Sequence, residues 1–499
     1  MALLEAIFGA RLKKYKYTPI PQGSRTFRLV RLLPAEPALL SGREPALRIS
    51  LLTREAGGSS ATPSGDTVEY DALSYSWDVP DNAKRPDRRI IVETVGSNER
   101  HYMYIYRSLE VALLAFVAAK AANDEQGSFG LPIFIDQICI DQENDEEKSQ
   151  QVPLMQDIYA QCRRTIVWLG PSTKGTDMWF RYARRLAAEG ILSGILGPRA
   201  SSVMTVFDAC MDPSITLTDE DEIQDRDDLL DLIARYSRSY PIAMYVEVLT
   251  RNWFSRLWTI QEACLPPALV FVCGTEVLCF ECFRGAVFFY NVQNNHWIST
   301  MNGAAYSREE LLLRNSVFNL TEGFTRVYQQ RKAIHHRRQR HSFQELLINY
   351  STINENGWKI GATLAQDRIY GLLGLIDAEK EPASTRLGIY YDKNNQAAAQ
   401  VKAFTEATAL LLEQGHMDVL LFNQTPKVTV GLSTWVPDWA MNLVLPVGWA
   451  TLQNPIFAAG GADHVGAVKL GPGGGRLTLK GVLVSRIVAV GKATCQSYV

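Results

Sequence analysis

The chain has 499 residues, 46% of them apolar and 21% charged, with 51 Lys+Arg against 53 Asp+Glu and a net charge of −2. That length is enough for two or three cores, and the charge balance offers nothing to a nucleic acid or an anionic membrane surface. No apolar run reaches the roughly 20 residues of a membrane-spanning helix.

The opening stretch, MALLEAIFGARLKKYKY, places its basic residues after the apolar ones, the reverse of a secretory signal, and reads as an amphipathic surface helix. TFRLVRLL (26–33) and ALRISLLT (46–53) have the composition of strands, and GGSSATPSGD (57–66) that of a connector. EYDALSYSW (69–77) reads as a strand running into a polar loop, residues 90–106 as a hairpin, and RSLEVALLAFVAAKAA (107–122) as a helix. LPIFIDQICI (131–140), an apolar run broken by Asp136, suits a buried parallel strand and its carboxyl-end loop.

Residues 141–162 begin with acids and continue with Val152, Met155, Ile158 and Tyr159 at helical spacing, with Pro153 near a first turn or at a kink. RTIVWLG (164–170) and ALVFVCG (268–274) are two further buried strands. A strand–helix–strand unit of this size implies a right-handed parallel crossover. The stretch 171–250 interrupts it with helical segments and the acidic run DEDEIQDRDD (219–228), read as a solvated loop or helix start. RNWFSRLWTIQEACLPP (251–267) is then a helix stopped by Pro266 and Pro267.

From about residue 275 the pattern is helix-rich until the strand-like AVKL and RLTLKGVLVSRIVAV. GPGGG (471–475) between these strands lacks the Gly-Lys-Ser/Thr ending of a phosphate loop and reads as a hairpin turn. The basic stretch RKAIHHRRQRH (331–341) reads as a solvated helix face or loop. Eight scattered cysteines, with Cys139, Cys162 and Cys264 in apolar segments, suit reduced thiols in a cytoplasmic protein. The C-x-x-C of Cys279 and Cys282 lacks a second pair or a nearby histidine, so no metal site is expected.

The expected architecture is an α/β domain over residues 67–274 built on an open parallel sheet, with a helical insertion at 171–250. An N-terminal segment (1–66) packs two strands on that core, and a mixed, helix-rich C-terminal region (275–499) follows and ends in strands. One residue stands out. Glu262 lies one helical turn beyond Trp258 and on the same side, so a carboxylate is placed within an aromatic stripe that belongs to a core.

YDALSYSWDVP (70–80), residues 134–170 and RNWFSRLWTIQEA (251–263), in that order, resemble the fungal heterokaryon-incompatibility (HET) domain family. DRIYGLLGLI (367–376) and STWVPDW (433–439) resemble segments found downstream of that domain. The resemblance implies an effector of cell death or incompatibility, triggered when non-self is sensed. HET domains in turn resemble TIR domains, which have a flavodoxin-like parallel sheet and in many cases cleave NAD. The TIR glutamate lies on a helix with the pattern Trp-Cys-x-x-Glu; here Trp258 and Glu262 have that separation, Thr259 replaces the cysteine, and the insertion separates the helix from its strand.

On that resemblance Glu262 is the catalytic residue, NAD or NADP is the substrate and no bound cofactor is needed. Departure of neutral nicotinamide leaves an oxocarbenium-like sugar, which an ionised carboxylate stabilises best where water is excluded. Ligands of open α/β sheets sit at the carboxyl ends of the strands. Ser74, Tyr75, Ser76 and Trp77 there offer hydroxyls and a stacking surface; Asp136, Asp141 and Gln142 meet ribose hydroxyls or order their loop; Arg256 meets a phosphate or pairs with an acid. The resemblance further implies a homo-oligomer on activation and control by a protein trigger or restraint. The alternatives are structural: Trp77 and Trp258 as core residues, Asp136 as a cap, Glu262 as an arginine-paired acid, and the whole as a non-catalytic death-signalling or self-association module.

Overall fold

A computed structural model describes residues 12–34, 47–56, 68–77, 85–94, 96, 99–121, 129–195, 203–212, 214–300, 308–353, 359–377, 379–383, 387–446, 468–470 and 475–479. The connector at 57–66, the first 11 residues and the turn at 471–474 lie outside these.

Among the described residues ten strands form one sheet. In chain order they are β1 (Lys13–Lys14), β2 (Thr26–Leu32), β3 (Arg48–Glu55), β4 (Asp71–Tyr75), β5 (Arg88–Glu93), β6 (Arg100–Ile105), β7 (Ile133–Phe134), β8 (Thr165–Trp168), β9 (Leu269–Cys273) and β10 (Glu276–Cys279). Across the sheet they run β1-β6-β5-β3-β2-β7-β4-β8-β9-β10. β7, β4, β8 and β9 are mutually parallel, whereas β2 joins β7, and β10 joins β9, antiparallel.

The sheet is therefore mixed, which corrects the expectation of an open parallel one. A short connection explains the departure at β10: a hairpin closes over a few residues, but a parallel pair needs a crossover. β9 turns directly into β10 at Gly274, whose φ is +59° and where a Cβ would lie 2.4 Å from the Ser172 hydroxyl. β5 and β6 form the expected hairpin, and β2 and β3 pair along seven residues within the same sheet.

Helices α1 (Arg107–Ala121), α2 (Asp136–Cys139), α3 (Asp145–Gln151) and α4 (Met155–Gln161) fall between β6 and β8. The insertion supplies α5 (Lys174–Ala188), α6 (Ile191–Ile195), α7 (Val203–Met211), α8 (Glu220–Tyr236) and α9 (Ile242–Leu249), and leads to α10 (Trp258–Cys264). After β10 come α11 (Phe280–Thr300), α12 (Arg308–Arg331), α13 (Phe343–Ser351), α14 (Asp367–Leu373) and α15 (Gln396–Glu413), with two small strand pairs. One of those pairs flanks the glycine-rich segment and is antiparallel.

Local chemistry sets several of these boundaries. The acidic run starts α8, with the Asp219 carboxylate accepting from two backbone N–H groups as its cap. Asn144 caps α3 in the same way, and Pro153 sits in a 3-10 turn (Val152–Leu154) that divides α3 from α4. The run 131–140 is strand only at β7: the Asp136 carboxylate accepts from Gln137 N–H at 2.7 Å, and Ile138 and Cys139 donate back to Ile135 O, so the chain coils into α2.

Arg28 of β2, 2% exposed, ties this loop down. It donates to both Glu147 oxygens at 2.6 and 3.0 Å, to Cys139 O at 2.9 Å and to Thr18 O at 2.8 Å. Glu147 in turn accepts from Asp141 N–H at 2.8 Å. Breaking a buried pair from one side leaves an uncompensated charge. Arg28→Met is therefore expected to lower stability by about 3–5 kcal/mol, and the double variant with Glu147→Met by clearly less, measured as urea unfolding free energies.

Candidate functional site

β4 places Ser74 and Tyr75 at its carboxyl end, and the whole strand is buried between β7 and β8. Opposite them stands α10, whose start is organised by Thr259: its hydroxyl donates to Trp253 O at 3.1 Å and Arg256 O at 2.6 Å. Pro266 and Pro267 follow its last turn. Trp258 and Glu262 share this helix as expected, Trp258 half-buried and Glu262 only 5% exposed.

A relay of hydrogen bonds ends on Glu262. Trp253 Nε1 donates to Ser74 Oγ at 2.7 Å, and Ser74 Oγ donates to Glu262 Oε2 at 2.5 Å. The Ser74 hydroxyl stabilises the ionised form, but burial and the neighbouring Asp136 charge act against it, and despite the opposing charge of Arg256 the Glu262 pKa rises to about 7. Glu262 forms no ion pair among the described residues, although the charge of Arg256 acts on it.

Asp136 opens α2 on the other side of this group. Its Oδ2 accepts from Trp77 Nε1 at 3.0 Å. Burial raises its pKa, while Arg256, the Gln137 N–H, Trp77 and Tyr75 pull the other way. Tyr75 is fully buried and donates its hydroxyl to Gln137 Oε1 at 3.2 Å, with burial pushing its pKa well above normal. Arg256 donates to Tyr75 O and is the cation shared electrostatically by Tyr75, Asp136 and Glu262. Ser76 and Trp77 are half-buried in the segment that follows β4.

The structure thus brings Ser74, Tyr75, Trp77, Asp136, Arg256, Trp258 and Glu262 together. Asp141 and Gln142 serve the loop instead: Asp141 Oδ1 accepts from Glu143 N–H at 3.1 Å, and Gln142 Nε2 donates to Asp136 O at 2.9 Å. Among the described residues no group of His, Cys, Asp and Glu is placed to hold a metal ion.

Three contributors were not singled out from the sequence. Asp367 of α14, 109 residues beyond Trp258, accepts from Trp258 Nε1 at 3.0 Å and from the Tyr391 hydroxyl at 2.8 Å. Burial raises its pKa to about 6, against the pull of these two donors, Lys148 and Arg256. Its only sequence signal is the resemblance of DRIYGLLGLI to a downstream segment. Trp253 joins the core, while its indole N–H is spent on Ser74.

Residues 336–339 are exposed, as expected for 331–341, but Arg331 departs from that reading. It is 8% exposed and donates to Ala263 O, to Pro266 O at 3.0 Å and to Pro267 O at 3.3 Å, while a His335 ring nitrogen meets Cys264 O at 2.9 Å. These side chains satisfy open carbonyls in and just beyond the last turn of α10, and Arg331 places positive charge at its C-terminal end. The segment before α14 closes the other end: Leu257 N–H donates to Gly361 O at 2.8 Å and Gly361 N–H to Ser255 O at 2.6 Å.

Residues 70–262 match the sequence family described as heterokaryon incompatibility protein (HET), a span that runs from the start of β4 to Glu262. The chain is 27% identical over 414 residues to heterokaryon incompatibility protein 6, OR allele, of Neurospora crassa, an alignment covering 76% of this chain and 54% of that relative. It therefore spans about half the length of that protein. No solved structure matches the chain. The three segments that meet at Ser74, Asp136 and Glu262 all lie within the matched span, and over residues 70–262 the chain is similar to the HET family.

Proposed function

We propose that the domain is an NAD(P)+ glycohydrolase of incompatibility-type cell death, with Glu262 as its catalytic carboxylate. The observation that carries this reading is a buried glutamate, beside a tryptophan on a short helix, whose pKa is raised to about 7 with a hydroxyl as its hydrogen-bond partner. On the same reading β7, β4, β8 and β9 are a flavodoxin-like, TIR-like core, and the domain boundaries are those expected from the sequence. The protein works in the cytoplasm and assembles with copies of itself on activation, under a protein trigger or restraint.

The charge inventory fits the cationic pyridinium ring of this substrate. Three carboxyls, of Asp136, Glu262 and Asp367, share the guanidinium of Arg256, with Lys148 acting on Asp367 as well. A pyridinium ring entering this group favours ionised carboxyls, as any positive charge does, so the substrate would itself help to ionise Glu262. The carboxylate would then face the developing oxocarbenium ion while nicotinamide leaves neutral. Ser74 would hold the carboxylate in place, and the half-buried Trp77 and Trp258 would provide the walls. Asp141 and Gln142 would act only by ordering the loop of Asp136. A second reading, a non-catalytic signalling module, is favoured by the 5% exposure of Glu262.

Nicotinamide release from NAD+ and NADP+ by the purified chain separates the two. Glu262→Gln is expected to lower the rate by about 100-fold or more and to abolish killing when expressed, with Glu262→Asp retaining part of both. Killing that persists in Glu262→Gln, from a wild type that releases no nicotinamide in its assembled state, would establish the module instead.

The pH dependence carries a further signature. Activity needs the ionised acid and should rise with pH through an inflection near 7. Ser74→Ala removes a hydrogen bond to the charged form and should move that inflection to higher pH, whereas Asp136→Asn removes a like charge and should move it lower. Steady-state rates measured across pH 5–9 check both directions.

Stability should show the same shift with the sign reversed. A carboxyl whose folded pKa lies above its unfolded value favours folding while protonated, and that contribution is lost as pH rises through the folded pKa. Glu262→Gln, neutral throughout, should therefore match wild type near pH 4 and exceed it at pH 8 by a margin on the order of 3 kcal/mol, read from denaturant unfolding.

A further inference from the structure

A cavity of about 450 Å3 lies between α11 and α12, within the range of a few hundred to a thousand Å3 in which proteins hold small molecules. Val287, Phe288, Phe324 and Tyr328 give it an apolar and aromatic wall, and Arg284, Arg314 and Lys332 add cations to the same lining.

The charges in this lining do not cancel. The carboxylate there, Glu322, is already taken by Arg326 Nε at 2.8 Å. Arg314 is oriented by donating from Nη1 to Asn294 Oδ1 at 2.6 Å. Arg284 pairs with Glu281 and lies over the Tyr328 ring at 5.6 Å, yet its Nε–H is buried without an acceptor. A buried donor of this kind carries an uncompensated desolvation cost until an acceptor reaches it. Lys332 forms no hydrogen bond or ion pair among the described residues.

We propose that this cavity binds a small aromatic organic anion, its ring against the aromatic wall and its acidic group on Arg284 and Lys332. The position gives the site reach. Lys332 is the first residue of a π-helical turn (Lys332–His336), an irregularity that gathers at functional sites. The residue before it, Arg331, and His335 within the turn cap the helix that carries Glu262.

The test uses the full chain and a fluorescent aromatic sulfonate, 8-anilinonaphthalene-1-sulfonate, as the probe. The expected result is saturable binding of one probe per chain. Kd should weaken by about tenfold or more in Lys332→Met and in Arg284→Met, the uncharged N-phenyl-1-naphthylamine should bind more weakly by a similar factor, and Val287→Trp should abolish binding by filling the cavity. Binding at several sites per chain, or equal affinity in the two charge variants, or equal affinity for the neutral amine, overturns the proposal. If circular dichroism shows that Val287→Trp does not fold, the charge variants and the neutral amine decide the matter. None of these readouts depends on NAD cleavage, so the proposal fails or stands separately from the glycohydrolase reading.

Discussion

The arrangement at the carboxyl end of β4 depends on keeping one carboxyl group away from water. Glu262 is buried behind Ser74, its hydroxyl partner at 2.5 Å, and shares its surroundings with Asp136. A buried acid is costly while ionised, and a like charge nearby adds to that cost. An apolar residue of similar size would leave the buried Ser74 hydroxyl without this acceptor. Strands and helices far apart in the chain converge there, with Ser74 and Glu262 separated by 188 residues.

The helix that carries Glu262 is too short to hold its own position. α10 has seven residues, and isolated helices of that length are unstable in water. Its stability comes from what grips it: Gly361 at the start, Arg331 and His335 at the end, and Asp367 on the Trp258 indole. Glycines allow this close approach, since a Cβ on Gly374 would lie 2.7 Å from the Gln261 side chain. All of these gripping residues lie beyond the span that matches the HET family, residues 70–262. The C-terminal region is thus built into the site's support.

Much of this was legible in the chain. Strands β2 to β6, β8 and β9 follow from apolar pattern and turn residues, and the acidic start of α8 announced itself through Asp219. The pairing of Trp258 with Glu262 on one face was visible from spacing alone. Three things were not. Sheet direction was misjudged because pattern marks a strand but not its neighbour, so the antiparallel partners of β7 and β9 went unseen. The run 131–140 reads as a strand and its carboxyl-end loop, broken at Asp136, but the side-chain bond at Asp136 that coils this loop into α2 is a local competition that hydrophobicity does not register. Arg331 and Asp367 look solvated in sequence because long-range partners neutralise their burial, and no spacing rule links residues so distant.

The most direct test is the protonation equilibrium of Glu262 itself, followed by carbon-detected NMR of side-chain-labelled glutamate, with Glu262→Gln used to assign the resonance. The account predicts a carboxyl that titrates with a midpoint near 7. A Glu262 resonance that titrates near 4.5, the ordinary value for a glutamate, would contradict it, because the acid would then be solvated and the buried charge on which the site rests would not exist.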